Sequence, residues 1–285
     1  MSDRANGTAA SETLPSRSAE MRTPWLRNAI VPFASLILAV VVMLAWQYLP
    51  PMLGVPKYII PRLSDLGSEM VRMWYRENLV AHFMSTASMS ILGFFLGGLL
   101  GAVFGYTLGL LPTWEKVLSP YILALQIAPK VAFAPLFILW FGYNAWPKLI
   151  VTILVVFFPI LVNVLQAMRV MDRDLVNLAR AYNMSKAKIF WKVMLPFSMP
   201  NLLAGLRIGA TLAVIGITVG ELVGGEIGLG YLISFGQGQA NTAMVFDAIA
   251  LLTVIGIVMY WAVTAVEARV LHYVPRAVVA PQPQP

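Results

Sequence analysis

Between Lys116 and Lys148 the chain carries one charged side chain, Lys130, and it directly follows Pro129. An ammonium placed at the centre of a membrane helix costs about 2.5–3.5 kcal/mol, and a prolyl nitrogen removes a backbone donor, so neither residue serves lipid contact. A lysine there either lines a water-filled path and helps an anionic solute through, or it is a snorkelling or ion-paired structural residue with Glu221, Glu226 or Asp247 as partner. Glu221 closes an uncharged stretch and leads into a Gly-rich turn, Gly224 to Gly230, that lines a gate or is an ordinary loop. Pro129, Lys130 and Glu221 are therefore the pathway candidates. Other chemistry is poorly supplied. The chain has no Cys and only two His, His82 and His272, which leaves no metal-spacing cluster and no thiol nucleophile. It contains no G-x-x-x-x-G-K-[ST] loop for nucleotide phosphates and no G-x-S-x-G elbow, so no catalytic residue is assigned.

The elements that must position these residues follow from hydropathy. Apolar residues make up 59% of the 285 and charged residues 12%, an excess that no water-soluble core absorbs. A bilayer core needs about 20 apolar residues per helix. Uncharged runs predict six spans at about 29–49, 86–111, 118–141, 149–168, 203–220 and 244–266, within a membrane domain of residues 29–268. The third is interrupted by Pro129, Lys130 and Pro135. Residues 1–28 and 269–285 read as disordered tails, the latter ending in APQPQP. Residues 62–80 mix apolar and charged side chains at helical spacing, as an interfacial helix would.

Basic residues set the orientation, because Lys and Arg flanking a span are retained in the cytoplasm. Grouping the termini, the link between spans two and three and the segment from Arg169 to Arg207 collects fourteen basic residues; the opposite side holds Lys57, Arg62, Arg72, Arg76 and Lys148. Both termini are thus expected in the cytoplasm. In the second span Gly93, Gly97, Gly101, Gly105 and Gly109 recur every fourth residue, and Gly205, Gly209, Gly216 and Gly220 repeat the device in the fifth. Such ridges let helix backbones approach closely, either within one chain or against a second copy.

The link between spans four and five is longer than an anchor or simple channel needs. Leu175, Leu178, Ala179 and Tyr182 fall at three- and four-residue spacing on one helix face, Asn183 breaks the period, and Ser185 is a candidate N-cap for a second helix with Ile189, Phe190, Val193 and Met194 on its apolar side. Leu195-Pro196 is expected to stop that helix. Six basic residues lie between Arg169 and Lys192. Such a pair of helices suits a cytoplasmic docking piece or the surface of anionic lipid.

The segment DLVNLARAYNMSKAKIFWKVMLP resembles the EAA loop of permease subunits of ABC-type importers. Registered on Leu195-Pro196, the motif's Ile position falls on Val193, its Gly on Asn183 and its EAA on Asn177, Leu178 and Ala179. The departures are Asn177 for Glu, Leu178 for Ala and Asn183 for Gly; Asn accepts a left-handed turn more readily than other non-Gly residues. APKVAFAPLFILWFG, FFPILVNVLQAMRVMD and GELVGGEIGLGYLI extend the likeness to the branch importing nitrate, sulfonates, taurine and thiamine-pyrimidine precursors, over about residues 30 to 270. The resemblance implies an all-α integral membrane protein, a six-helix type I ABC importer permease bundle with a cytoplasmic coupling-helix loop at 169–202. It implies a permease subunit and not an enzyme, carrying a small anionic or aromatic solute across a bacterial inner membrane. Implied partners are a second copy, two cytoplasmic ATPase subunits that bind ATP and Mg, and a periplasmic binding protein; no cofactor is bound by this chain and no nucleic acid is involved. The alternative class is a secondary transporter or channel without ATPases, for which internal repeats and intramembrane acids would be expected.

Overall fold

A computed structural model describes residues 24–273. The tails expected at 1–28 and 269–285 fall mostly outside that range; within it, residues 24–28 and 269–270 are helical. The chain divides at Val55 into two compact units. The first contains α1, Pro24–Met52, whose apolar side chains from Phe33 to Leu49 are largely exposed, as a helix meant for lipid requires.

The second unit begins at Pro56. Helix α2 (Leu63–Arg76) follows a capping arrangement in which the Arg62 N–H donates to Asp65 (3.1 Å). Lys57 donates to the same carboxylate (3.0 Å) and holds Asp65 below the usual carboxylate range. Its amphipathic pattern is used: Met73 is fully buried, while Trp74 and Tyr75 are exposed. Glu69 accepts from Arg72 and from Asn241 (2.8 Å), tying α2 to the start of the last helix.

Three long helices form the centre: α3 (Leu79–Gly109), α6 (Ala145–Val170) and α9 (Leu195–Gly224). The glycine ridge of α3 lies on α6. Gly93 meets Thr152, Gly97 meets Val156, Gly101 meets Ile160, Gly105 meets Val164 and Gly109 meets Met168, a constant offset that makes the two helices parallel. The ridge of α9 lies on the adjoining face of α6 with opposite sense, Gly205 and Gly209 on Ile160, Gly216 on Thr152 and Gly220 on Lys148. Thr152, Val156 and Ile160 are therefore gripped by both ridges, and Val156 and Ile160 have no exposed surface. Both ridges are spent within one chain, which decides between the two readings their spacing allowed.

The third span is broken. Helix α4 (Pro112–Ile127) ends at Ala128, a short 3-10 turn covers Lys130–Phe133, and α5 (Ala134–Phe141) leaves at 76°. Pro129 supplies no N–H to continue α4, and Pro135 sits in the first turn of α5, where a missing donor costs nothing. Among the described residues, five helices are long and apolar enough to cross a membrane, or six if the bent pair is one span.

Between α6 and α9 lie α7 (Arg173–Ala181) and α8 (Lys186–Ile189). The expected stop at Leu195-Pro196 is corrected: a π-turn over Phe190–Met194 carries α8 into α9, so that Lys186–Gly224 is one helical run. The π-turn lets the Leu195 N–H bond the Phe190 carbonyl five residues back and admits Pro196 in the first turn of α9, where its missing N–H is tolerated. Helices α10 (Leu229–Gly238) and α11 (Thr242–Val270) close the bundle, with Leu229, Leu232, Met244 and Ala248 fully buried beside Ala210 and Ala213 of α9.

Candidate functional site

The loop after α6 is built by its caps. Asp172 accepts the Asp174 N–H (2.8 Å) at the start of α7, and Ser185 accepts the Lys188 N–H (3.4 Å) at the start of α8. At the end of α7 the Asn183 N–H donates to the Arg180 carbonyl (2.8 Å) and the Met184 N–H to the Ala179 carbonyl (3.1 Å), with Asn183 at φ 55°. These are the two bonds of a Schellman turn, with Asn183 in the left-handed position that glycine usually fills. Ala179 and Ile189 face inward and are buried; Val193, Leu195 and Pro196 are half-buried. Phe190 packs edge-on against Tyr106 of α3 (5.3 Å between centroids), and the Tyr106 hydroxyl meets Ser198 (2.8 Å), which seats the loop on the bundle.

The other apolar positions stay open. Leu175, Leu178 and Tyr182 are exposed, Tyr182 by 77%, as are Asn177 and Ser185. Beside them runs a cleft of about 1500 Å³ lined by Lys116, Arg169, Arg173, Asn177, Arg180 and Lys186. Arg169 is anchored by an ion pair to Glu115 and by Ser119 (3.0 Å). An open apolar strip thus lies next to a cleft whose charged lining is mostly basic.

The pathway candidates separate. Pro129 and Lys130 stand at the bend between α4 and α5. Lys130 pairs with none of the three acids offered to it. Its Nζ donates to the Gln126 carbonyl (2.6 Å), an orphan of the broken helix, and lies 4.8 Å from the Phe158 ring centre, in cation–π range. Glu226 is exposed, and Asp247 is buried on α11 with Oδ2 unpartnered.

Glu221, the third pathway candidate, is 1% exposed and enclosed by packing. It accepts from Thr86 Oγ1 (2.9 and 3.0 Å) and from the Gly230 N–H (3.0 Å), and Lys148 Nζ lies 3.9 Å away. Thr86 Oγ1 accepts the Leu229 N–H (2.8 Å), and His82 Nδ1 accepts the Gly228 N–H (3.0 Å) while its ring stacks on Tyr231. The sequence does not single out Thr86 and Lys148 as partners of Glu221, nor His82 as the acceptor of the Gly228 N–H. Their signal is weak: His82 and Thr86 are one helical turn apart on α3, above the glycine ridge. Among the described residues no group of three or more His, Asp or Glu is arranged to hold a metal.

A helical bundle with a broken span, close glycine seams and a structured, basic external loop defines a membrane transport subunit. The chain belongs to the family of binding-protein-dependent transport system inner membrane components, whose pattern it matches over residues 76–272. It is 34% identical over 236 residues to the formylaminopyrimidine transport permease protein ThiX of Halalkalibacterium halodurans, covering 81% of this chain and 92% of that one. It is 33% identical to the riboflavin transport system permease protein RibX of Chloroflexus aurantiacus (87% and 93% covered) and 26% identical to the taurine transport system permease protein TauC of Escherichia coli (90% and 94%). Its fold matches a chain of the MetNI methionine ABC transporter, solved in inward-facing conformations, with a TM-score of 0.57 at 20% identity, covering 70% of this chain and 97% of that one. The protein is thus a multi-pass inner-membrane permease subunit of an ATP-driven importer. It is not an enzyme, and the family implies ATPase and binding-protein partners.

Proposed function

We propose that the chain forms the translocation pathway for a small anionic or aromatic organic solute, and that residues 169–202 dock a cytoplasmic ATPase subunit. The observation that carries the docking role is the open strip of Leu175, Leu178 and Tyr182 on a helix held by Asp172 and the Asn183 turn, beside the basic cleft. Two copies of the chain pair, each with its own ATPase, and ATP and Mg are bound by those subunits. A periplasmic binding protein delivers the solute on the opposite side. The distribution of Lys and Arg supports cytoplasmic termini. The relatives named for formylaminopyrimidine, riboflavin and taurine support a small polar organic cargo. Lys130, the cation at the broken span, gives such a cargo an electrostatic partner. Asn177 stands where the related loops carry Glu, so docking here relies on the apolar strip and on Arg and Lys.

Tyr182→Asp tests the docking role. The residue touches little within the chain, so the permease should accumulate normally while the co-expressed ATPase fails to co-purify with it. Undiminished co-purification and solute uptake would overturn the assignment.

A further inference from the structure

Lys186–Gly224 is one helical run of 39 residues, about 58 Å at 1.5 Å per residue. One end begins beside the Ser185 cap of the docking loop. The other end carries Glu221, whose carboxylate is enclosed by three other helices: Thr86 from α3, Lys148 from α6 and the Gly230 N–H from α10. At the start of α10 three consecutive backbone donors, of Gly228, Leu229 and Gly230, are taken by His82, Thr86 and Glu221. The backbone is shaped to receive that carboxylate. Gly228 has φ 132°, and a Cβ there would overlap the Glu221 carboxyl group; a Cβ at Gly230 would lie 2.6 Å from the Thr218 carbonyl and 2.7 Å from Glu221 Cβ. The positive end of α10 is therefore satisfied by the protein's own carboxylate.

We propose that Glu221 is a positioning residue for transport, the grip through which movement of the helix carrying the docking loop is delivered to α10. This rests on the docking role given above. The carboxylate is buried; it joins the far end of the helical run to the start of α10, where it takes the Gly230 N–H while His82 and Thr86 take the two donors before it. A displacement entering at α8 reaches the start of α10 through this joint, which adds to the packing of Leu229 and Leu232 on α9 and to the bond from Ser234 to the Leu222 carbonyl (2.9 Å). Lys148 balances the charge, and its backbone is packed under Gly220, one residue before Glu221, so the joint is also seated on α6.

The chain has no Cys, which makes a single introduced thiol an unambiguous reporter. Gln237→Cys on the exposed end of α10, in the full permease co-expressed with its ATPase, is labelled with N-ethylmaleimide in nucleotide-free and ATP–vanadate states. The parent should show a nucleotide-dependent change in labelling rate of about fivefold or more, the lower end of ordinary coupling between sites. Glu221→Ala should retain the ATPase on purification and lose the change. Glu221→Gln with Lys148→Met keeps an acceptor for the Gly230 N–H, removes both charges together and should keep the change. Thr86→Val, a milder cut if Glu221→Ala does not accumulate, should reduce the change at least about twofold. A full response in Glu221→Ala or Thr86→Val, or its equal loss in the Gln/Met pair, overturns the proposal. Failure of the docking role is seen separately: the parent, with Glu221 intact, then lacks a bound ATPase and any response, and both readings fall.

Discussion

Replacing Gly101 with Ala probes the seam between α3 and α6 directly. The new methyl carbon would lie 2.6 Å from the Phe157 carbonyl oxygen and 3.1 Å from Ile160 Cβ. Ordinary contact begins near 3.4 Å, so the helices must part by about 0.8 Å at that point. The obstructing atom is backbone and cannot rotate away, and Ile160 is already held by α9 as well. Overpacking of this kind costs about 1–3 kcal/mol. The intrinsic gain of about 1 kcal/mol from Gly to Ala in a helix hides part of it, so the comparison needs a reference. Gly256→Ala on α11 provides one, with nothing within 4 Å of its Cβ, and Gly98→Ala gives a middle case, meeting the side-chain tips of Leu206 at 3.2 Å and Ile160 at 3.6 Å. The propensity gain is common to all three and cancels. Thermal unfolding of the purified chain in mild detergent, followed by tryptophan fluorescence, should rank Gly256→Ala above Gly98→Ala above Gly101→Ala. At about 2–4 °C per kcal/mol for a chain of this size, the outer two should differ by several degrees. Equal melting of Gly101→Ala and Gly256→Ala would refute the close seam.

Two further outcomes follow from local geometry. Asn183→Gly should leave ATPase co-purification and melting unchanged, whereas Asn183→Val should cost about 1–2 kcal/mol for a β-branched residue at φ 55° and weaken co-purification; equal behaviour would remove the turn's role. Lys130→Met should reduce uptake of the anion presented by the binding protein while Lys130→Arg retains it, and full uptake by the Met variant would leave Lys130 as a cap for the end of α4 alone.

Much of the architecture was legible because a bilayer permits few alternatives. Uncharged runs marked the helices, and prolines at 129 and 135 marked the break. The loop was legible from spacing: Asn183 occupies the glycine position of the turn, and Ser185 caps the next helix. Leu195-Pro196 misled because a proline ordinarily ends a helix, while a π-turn here provides a five-residue bond and brings Pro196 into a new first turn. The glycine ridges announced close packing but not against what, since the α6 face they share carries Thr, Val, Ile and Met and no pattern of its own. Lys130 was recognisable by its depth; its partners, a backbone carbonyl and Phe158, leave no mark in a sequence. Glu221 stands out by its charge as a pathway candidate at a turn that reads as a gate or an ordinary loop; Thr86 and Lys148 lie 135 and 73 positions away and only folding brings them to it.

The π-turn also sets a phase. It inserts one residue into an otherwise regular helix, and each residue turns an α-helix by about 100°. Phe190, which meets Tyr106 at the start of the turn, and the glycine edge of α9 that meets α6 are thereby locked at a fixed azimuth to each other. Straightening the turn into a regular helix at unchanged length would rotate Gly205, Gly209, Gly216, Gly220 and Glu221 about a quarter of a circle off their partners, whereas deleting one residue within 190–194 would remove the extra residue and keep their azimuth. The turn thereby absorbs one residue of length without moving the seam, which a regular helix cannot do.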